Sequence, residues 1–298
     1  MGARLPDFVI IGAMKCGTST LHEQLALRSG LFLSTPKEPN FFSDDAQYAR
    51  GLDWYSSLFA GAREDQRCGE SSTHYTKRPT YSRTVERMRL HLPHVRLVYV
   101  MRDPIERIVS HYIHEWSQHE VACDFEEALR RHERYVAYSS YAYQLEPFLE
   151  CYGPESVLPV AFERLVAHPD QELARICAFL DDPSPEGVRW HDERARQNVS
   201  RERIRKNALV DLVRRIPALR AIKQRTPQSW RDRVKARWQM RERPVLSPAR
   251  RAELEERLDR DLARLGTWLG LDLTCTRWRA SVVARPLAWS QRRPGNAA

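Results

Sequence analysis

The sequence contains few glycines, few cysteines and no long apolar run. Among its 298 residues are 12 Gly and 18 Pro, too few for a collagen-like or low-complexity chain. No apolar stretch approaches the roughly 18 residues that a transmembrane helix needs. The six cysteines form no Cys-x-x-Cys pair and show no Cys/His spacing typical of zinc sites. We therefore expect neither a metal site nor a disulfide framework.

The composition otherwise fits a folded domain, because apolar residues make up 42 % of the chain. The first strand-like run starts near Asp7, which leaves no room ahead of it for a signal peptide. We expect a cytoplasmic protein.

Positive charge is concentrated in the last third of the chain. Residues 1–190 contain 21 Lys/Arg and 27 Asp/Glu, whereas residues 191–298 contain 27 and 12. This asymmetry indicates an anionic partner, such as nucleic acid, an acidic glycan, a phosphorylated nucleotide or a membrane surface. A solvated, arginine-rich helical surface is the alternative explanation.

Short apolar runs alternate with segments of helical periodicity, which is typical of an α/β domain on a largely parallel sheet. Strands are predicted at 8–11, 95–101 and 156–161. Helices are predicted from about residue 18 and at about 78–91, 104–119, 124–133, 141–152, 169–180 and 248–269. We predict a core over residues 1–182 and a basic helical part over residues 183–298 that completes the same domain.

The helix after the second strand has the clearest signals. Asp103 suits the N-cap and Pro104 suits the first helical position. Apolar residues then recur at helical spacing, so that Arg107 and Ser110 are predicted to point away from the apolar stripe.

A loop that contains glycines joins the first strand to the first helix, and it carries the sequence Gly12-Ala13-Met14-Lys15-Cys16-Gly17. Backbone N–H groups at such a helix start attract an anion, and the lysine and the following hydroxyls add charge and donors. The loop is not a Walker A motif, because Lys15 precedes Gly17 by two residues, and it lacks the Gly-x-Gly-x-x-Gly pattern. A plain glycine turn with a solvated lysine is the alternative.

A second anion site is predicted at Arg102, which ends the strong strand, together with Ser110 two helical turns later. The two sites together predict a ligand with two separated phosphates. Arg102 and Asp103 could instead form a local ion pair.

The segments PDFVIIGAMKCGTST (6–20) and LVYVMRDPIERIVSHY (97–112) resemble the sulfotransferase family that uses 3′-phosphoadenosine 5′-phosphosulfate (PAPS). KEPNFF (37–42) and GLDWYSSLF (51–59) further resemble the branch that includes the heparan-sulfate N- and 3-O-sulfotransferases. The resemblance extends from residue 5 to about 181. It implies an α/β, three-layer P-loop-like fold with a central, mostly parallel sheet flanked by helices.

The resemblance also implies the donor site, with PAPS as donor, adenosine 3′,5′-bisphosphate (PAP) as product and no metal. Arg102 and Ser110 would bind the 3′-phosphate, and Arg205 and Lys206 in the basic segment 198–207 would close over the nucleotide. The 5′ end would be bound by Lys15, Cys16, Gly17, Thr18, Ser19 and Thr20.

The transfer chemistry needs a base, because the acceptor must lose a proton as it attacks sulfur. Glu38 matches the glutamate proposed as general base in the glycan branch, and Lys15 would neutralise charge on the bridging oxygen. The branch has Glu-Lys-Ser where this chain has Glu70-Ser71-Ser72, so a lysine expected near the reacting centre is absent. His74 lies near the position of the catalytic histidine of cytosolic small-molecule sulfotransferases and is a rival base. Glu70 is an orienting or alternative carboxylate.

The resemblance points to a carbohydrate-like acceptor. Because we expect the protein to be intracellular, a glycan precursor, a glycolipid or a secondary metabolite is favoured as the acceptor. The basic C-terminal part is consistent with an acidic acceptor, and no nucleic acid is expected as partner. We expect exposed aromatic side chains at Trp54, Tyr55 and Tyr75 to contact the acceptor. A P-loop-like kinase and a non-catalytic nucleic-acid- or glycan-binding module are the alternatives.

Overall fold

A computed structural model describes residues 4–184, 186–191, 240 and 242–290. Within this part, five parallel strands form one sheet in the order β2-β3-β1-β4-β5. The strands are β1 (Phe8–Gly12), β2 (Leu31–Leu33), β3 (Arg67–Ser71), β4 (Arg96–Met101) and β5 (Val157–Ala161). Neighbouring strands are in parallel register, with Phe8 opposite Gly69 on one side and Arg96 on the other.

Helices cover the sheet and follow most strands. They are α1 (Thr18–Leu25), α2 (Asp45–Tyr48), α3 (Gly51–Ser57), α4 (Thr84–His91), α5 (Pro104–Ser117), α6 (Phe125–Arg131), α7 (Arg134–Ala137), α8 (Tyr141–Tyr152), α9 (Phe162–Ala167), α10 (Pro169–Phe179), α11 (Pro248–Leu269) and α12 (Trp278–Ala284). Single 3₁₀ turns lie at Thr73–Thr76 and Pro154–Ser156.

The predicted fold class, with a central parallel sheet flanked by helices, is confirmed. The predicted strands correspond to β1, β4 and β5, whereas β2 and β3 were not predicted. β2 is only three residues long, and β3 carries the sequence RCGES, although all of its residues after Arg67 are buried. The predicted helix over 78–91 is wrong for its first six residues, because α4 begins at Thr84. Pro79 disfavours the helical conformation at the residue before it.

The C-terminal helices pack against the core of the sheet domain. The predicted leucine stripe of α11 is buried, and Ser247 caps this helix by accepting a hydrogen bond from the Arg250 N–H. The Asp261 carboxylate accepts 2.9 Å hydrogen bonds from the N–H groups of Ala142 and Tyr143 at the start of α8. These contacts agree with one domain, while the predicted boundary at residue 182 stays a prediction.

Helix α5 begins as predicted, since the Asp103 carboxylate accepts from the Glu106 N–H and Pro104 occupies the first turn. Ser110 is half-buried. The prediction for Arg107 is wrong, because its side chain is fully buried. Its guanidinium donates to groups on the loop after β1, on α7 and on the segment between α7 and α8.

No helix among the described residues is both long enough and apolar enough to span a bilayer.

Candidate active site

The loop between β1 and α1 lies at the carboxyl end of the central strand. Gly17 precedes α1 with φ +83°, a conformation that glycine adopts without strain. A Cβ atom at this position would lie 2.8 Å from the Phe162 ring, so the loop requires glycine for space as well. No side chain caps the start of α1. Its first N–H groups, which have no partner inside the helix, are therefore suited to an anion.

The residues predicted to bind the 5′ end differ in exposure. Lys15, Gly17, Ser19 and Thr20 are half-buried, whereas Cys16 and Thr18 are buried. Burial raises the pKa of the Cys16 thiol to about 12, so Cys16 is a protonated thiol that faces the core. Lys15 has φ +71°, a conformation that is unfavourable for residues with a side chain and is found at ligand-binding loops.

Arg102 lies next to this loop, at the end of the neighbouring strand β4. Its Nη1 is 3.5 Å from the Lys15 carbonyl oxygen, and its guanidinium lies over the Phe162 ring at 5.1 Å. Tyr141 fixes the backbone of Arg102, because its hydroxyl donates to the Arg102 carbonyl at 2.6 Å. The structure thus brings the two predicted phosphate motifs into contact.

Arg243, just before α11, was not predicted as a site residue. Its Nη2 lies 2.5 Å from Glu106 Oε2, and Arg102 Nη2 lies 3.2 Å from the same oxygen. Two guanidinium groups that converge on one carboxylate oxygen form an anion-binding arrangement. The sequence offered no signal to distinguish Arg243 from the other arginines of the basic segment.

Glu38 lies on the loop after β2, with its backbone N–H donating to the Ser71 carbonyl at the end of β3. Its Oε1 accepts from Lys37 Nζ at 2.7 Å and from Thr73 Oγ1 at 3.2 Å. Burial alone would raise the pKa of Glu38, but the Lys37 ammonium, which also hydrogen-bonds the carboxylate, and the Lys77 ammonium lower it. The carboxylate is ionised at neutral pH, and the Glu38 side chain is one-third exposed (33 %).

His74 lies close by, on the 3₁₀ turn that follows β3. Its ring stacks on Tyr81 with 4.8 Å between the ring centroids, and its Nδ1 is buried without a partner in the described part of the chain. Burial and the nearby Lys77 lower the pKa of His74 to about 4. The imidazole is therefore neutral at pH 7.

Glu70 lies inside the domain, with no exposed surface. Its carboxylate accepts from three hydroxyls, those of Tyr55 at 2.8 Å, Tyr75 at 2.7 Å and Ser72 at 2.6 Å. Burial raises the pKa of Glu70 despite these donors. The carboxylate connects β3 to α3 and to the 3₁₀ turn that carries His74.

The expectation of exposed aromatic residues is wrong for Tyr55 and Tyr75, which are buried and donate their hydroxyl hydrogens to Glu70. Trp54 is half-buried under the Arg50 guanidinium, 3.6 Å from the ring centroid. Tyr55 also stacks on Phe41 at 4.5 Å. The two aromatic motifs around Phe41 and Tyr55 thus pack on each other and support the loop that carries Glu38.

Two further titratable side chains near Glu38 were not predicted. His22 on α1 lies 2.8 Å from Ser71 Oγ through its Nδ1, and burial lowers its pKa to about 4. Lys77 follows the 3₁₀ turn, with its ammonium 6.0 Å from the Tyr138 ring. Burial lowers the pKa of Lys77 to about 8.

Arg205 and Lys206 lie outside the described residues. Among the residues that are described, no group of three or more His, Cys, Asp or Glu side chains is arranged to bind a metal ion.

Comparisons with known proteins identify a family that this chain matches. Residues 5–215 match the family described as "Sulfotransferase domain". Mouse heparan sulfate glucosamine 3-O-sulfotransferase 3A1 is 32 % identical over 189 residues, which cover 59 % of this chain and 46 % of that protein. Human heparan sulfate glucosamine 3-O-sulfotransferase 6 is 31 % identical over 185 residues, which cover 59 % of this chain and 52 % of that protein. The matched region thus spans about half the length of these relatives.

Among solved structures, a sulfotransferase from Alicyclobacillus acidocaldarius is similar with a TM-score of 0.67 and 24 % identity. The similarity covers 93 % of this chain and 99 % of that one. It supports the fold assignment.

Proposed function

The chain belongs to the sulfotransferase domain family, and from this we propose that it transfers the sulfuryl group of PAPS to a hydroxyl or amine of an acceptor. PAPS is proposed as the donor because Arg102 contacts the carbonyl of Lys15. The 3′- and 5′-phosphates of PAPS belong to one ribose, so their binding groups must be neighbours. Family membership favours this activity over a P-loop-like kinase and over a non-catalytic binding module.

The described residues fit such a donor. The loop residues Lys15 to Gly17 and the start of α1 would hold the 5′ group through N–H donors, hydroxyls and the lysine charge. Arg102 and Ser110 would bind the 3′-phosphate, with Arg243 as an additional cation that replaces its contact with Glu106. Arg205 and Lys206 stay predicted contacts of the closing basic segment.

PAPS, when bound, supplies a sulfuryl group on a good leaving group, the 5′-phosphate. In the proposed mechanism the Lys15 ammonium neutralises the negative charge that develops on the leaving oxygen. No step requires a metal ion.

Glu38 is proposed as the general base that accepts the proton of the acceptor. Glu38 is ionised at neutral pH and its side chain is one-third exposed, whereas the Nδ1 atom of His74 is buried and the His74 ring is stacked on Tyr81. His74 is the alternative base, since its neutral imidazole is also able to accept a proton. We assign Glu70 a positioning role, because three hydroxyls surround its buried carboxylate.

We propose a carbohydrate-like acceptor, by analogy with the heparan sulfate 3-O-sulfotransferases above. The excess of Lys/Arg over Asp/Glu after residue 190, 27 against 12, supports an acidic acceptor. A glycolipid and a secondary metabolite are the other acceptor classes. Cytoplasmic localisation stays a prediction.

The test is an acceptor screen with labelled PAPS at about 50 and about 300 mM salt, a range over which the screening length falls from roughly 14 to 6 Å. An acidic sugar acceptor should be preferred, with KM rising clearly at the higher salt concentration. Glu38→Gln protein is the control for transfer that does not depend on the base. A neutral phenol that outperforms every sugar without salt dependence would refute the acceptor class and leave the donor assignment intact.

A further inference from the structure

Arg107 is the buried side chain that joins the phosphate-binding loop to the helices behind it. Its Nη1 donates to the Met14 carbonyl at 3.3 Å, its Nε to Ser139 Oγ at 2.6 Å and its Nη2 to the Tyr135 carbonyl at 3.1 Å. Met14 lies in the middle of the loop. One guanidinium group therefore fixes the loop to α7 and to the segment that follows it.

Among the described residues, no carboxylate contacts the Arg107 guanidinium directly. Its Nη2 also lies 3.2 Å from His111 Nδ1, and His111 Nε2 lies 3.1 Å from Glu115 Oε1. Burial lowers the pKa of His111 to about 3, so the imidazole between the two charges is neutral. Glu115 is bound by Arg134, whose Nε and Nη2 lie 2.8 and 3.0 Å from its oxygens. A buried cation without its own anion costs stability, which indicates a role beyond packing.

The contact with Met14 has a geometric consequence for the loop. In a trans peptide the carbonyl of one residue and the N–H of the next point in opposite directions. Because Arg107 holds the Met14 carbonyl toward the core, the N–H of Lys15 is directed away from the core. Lys15 itself has φ +71°, so the surrounding contacts must maintain its conformation.

We propose that Arg107 is the positioning residue of the phosphate-binding loop, which aims the N–H groups of the loop at the 5′-phosphate of the nucleotide. This inference rests on the donor site proposed above. Arg107 itself does not contact the nucleotide in this proposal. Its effect should therefore be confined to ligands that carry a 5′-phosphate.

The test compares Arg107→Lys with the wild-type chain in calorimetric titrations with PAP, 5′-AMP and 3′-AMP. The lysine keeps the charge but cannot make the three separate contacts of the guanidinium. We expect PAP and 5′-AMP to bind about tenfold more weakly, the loss typical of one charge-assisted hydrogen bond. The affinity for 3′-AMP should stay within about twofold of wild type.

Arg28→Lys is a matched control. Arg28 is also buried and donates to two carbonyls and to Asp182, but it follows the far end of α1. This variant should bind all three nucleotides like the wild-type chain. It therefore measures how much the loss of a buried guanidinium alone affects binding.

The titrations distinguish failure of the proposed donor from failure of the positioning role. If the wild-type chain does not bind PAP, the proposed donor is wrong. If it binds PAP and Arg107→Lys binds PAP equally well, the positioning role is wrong, and equal weakening of 3′-AMP would also overturn it. If Arg107→Lys does not fold, Ser139→Ala keeps the guanidinium and removes the acceptor of Arg107 Nε, together with the hydrogen bond that the Ser139 hydroxyl donates to the Tyr135 carbonyl. A two- to fivefold loss for 5′-AMP but not for 3′-AMP would then support the proposal, and no loss would overturn it.

Discussion

Replacing Arg102 by alanine should separate the two phosphate sites. The Arg102 side chain is 20 % exposed, and it contacts Glu106 at 3.2 Å and the Lys15 carbonyl at 3.5 Å. Arg102→Ala removes the cation that we assign to the 3′-phosphate and leaves the glycine-containing loop intact. The variant should therefore lose affinity only for nucleotides with a 3′-phosphate.

The structure sets the size of this loss. A charge-assisted hydrogen bond to a phosphate contributes about 1.5–3 kcal/mol. Arg102 must give up its contact with Glu106, and since the Glu106 side chain is 46 % exposed, an ion pair of this kind contributes only about 0.2–1 kcal/mol. The net loss of binding free energy for PAP is then about 0.5–2.8 kcal/mol, or roughly 2- to 100-fold in Kd.

Isothermal titration calorimetry with PAP and 5′-AMP measures this difference. The affinity for 5′-AMP should change less than about twofold, because the contact between Arg102 and the Lys15 carbonyl is long. Arg260→Ala is a suitable control, since Arg260 is an exposed residue of α11 that pairs with Glu256. Equal losses for PAP and 5′-AMP, or no loss for either, would refute the assignment of Arg102 to the 3′-phosphate.

The remaining predictions concern the base, the additional cation and the pH dependence of stability. Glu38→Gln should keep its PAP affinity while the rate of transfer falls about 100-fold or more. If His74→Ala shows this loss instead, His74 is the base, as the resemblance to cytosolic small-molecule sulfotransferases implies. Arg243→Ala should weaken PAP binding about two- to tenfold in calorimetry, as expected for a half-exposed guanidinium, and unchanged affinity would exclude Arg243 from the site. Burial lowers the pKa values of His22 and His74 to about 4 and that of His111 to about 3, so the unfolded chain binds more protons between about pH 4 and 6.5. The free energy of unfolding should therefore fall with decreasing pH in this window, by about 1.4 kcal/mol per pH unit for each net proton. The buried carboxylates whose pKa is raised oppose this fall. Urea unfolding at pH 7, 6 and 5 measures the slope, and a flat profile would contradict the prediction.

Local signals in the sequence predicted the elements that begin and end with characteristic residues. These elements depend on neighbours in sequence: the apolar runs of β1 and β4, the Asp103-Pro104 start of α5 and the leucine stripe of α11. The turn at Gly17 is local in the same sense, because it needs a residue that tolerates positive φ. Such features follow from backbone geometry and periodicity.

Other features depend on partners that are distant in sequence. β3 is buried although it contains Glu70, because hydroxyls of Tyr55 and Tyr75 satisfy that carboxylate. Arg107 lies on what the helical period marks as a polar face, but its partners on the loop after β1 and around Ser139 enclose it. The convergence of Arg243 on Glu106 spans 137 residues, and nothing in the local sequence marks it.

The central claim is that the site binds a nucleotide with both a 3′- and a 5′-phosphate, and thermal denaturation of the wild-type chain with PAP, or with ATP and Mg²⁺, tests it most directly. A ligand at 100 times its Kd stabilises the folded state by about 2.7 kcal/mol, which raises the Tm by an easily measured amount. We predict such a shift with PAP and little or none with ATP and Mg²⁺. A large shift with ATP and Mg²⁺, and none with PAP, would contradict the account.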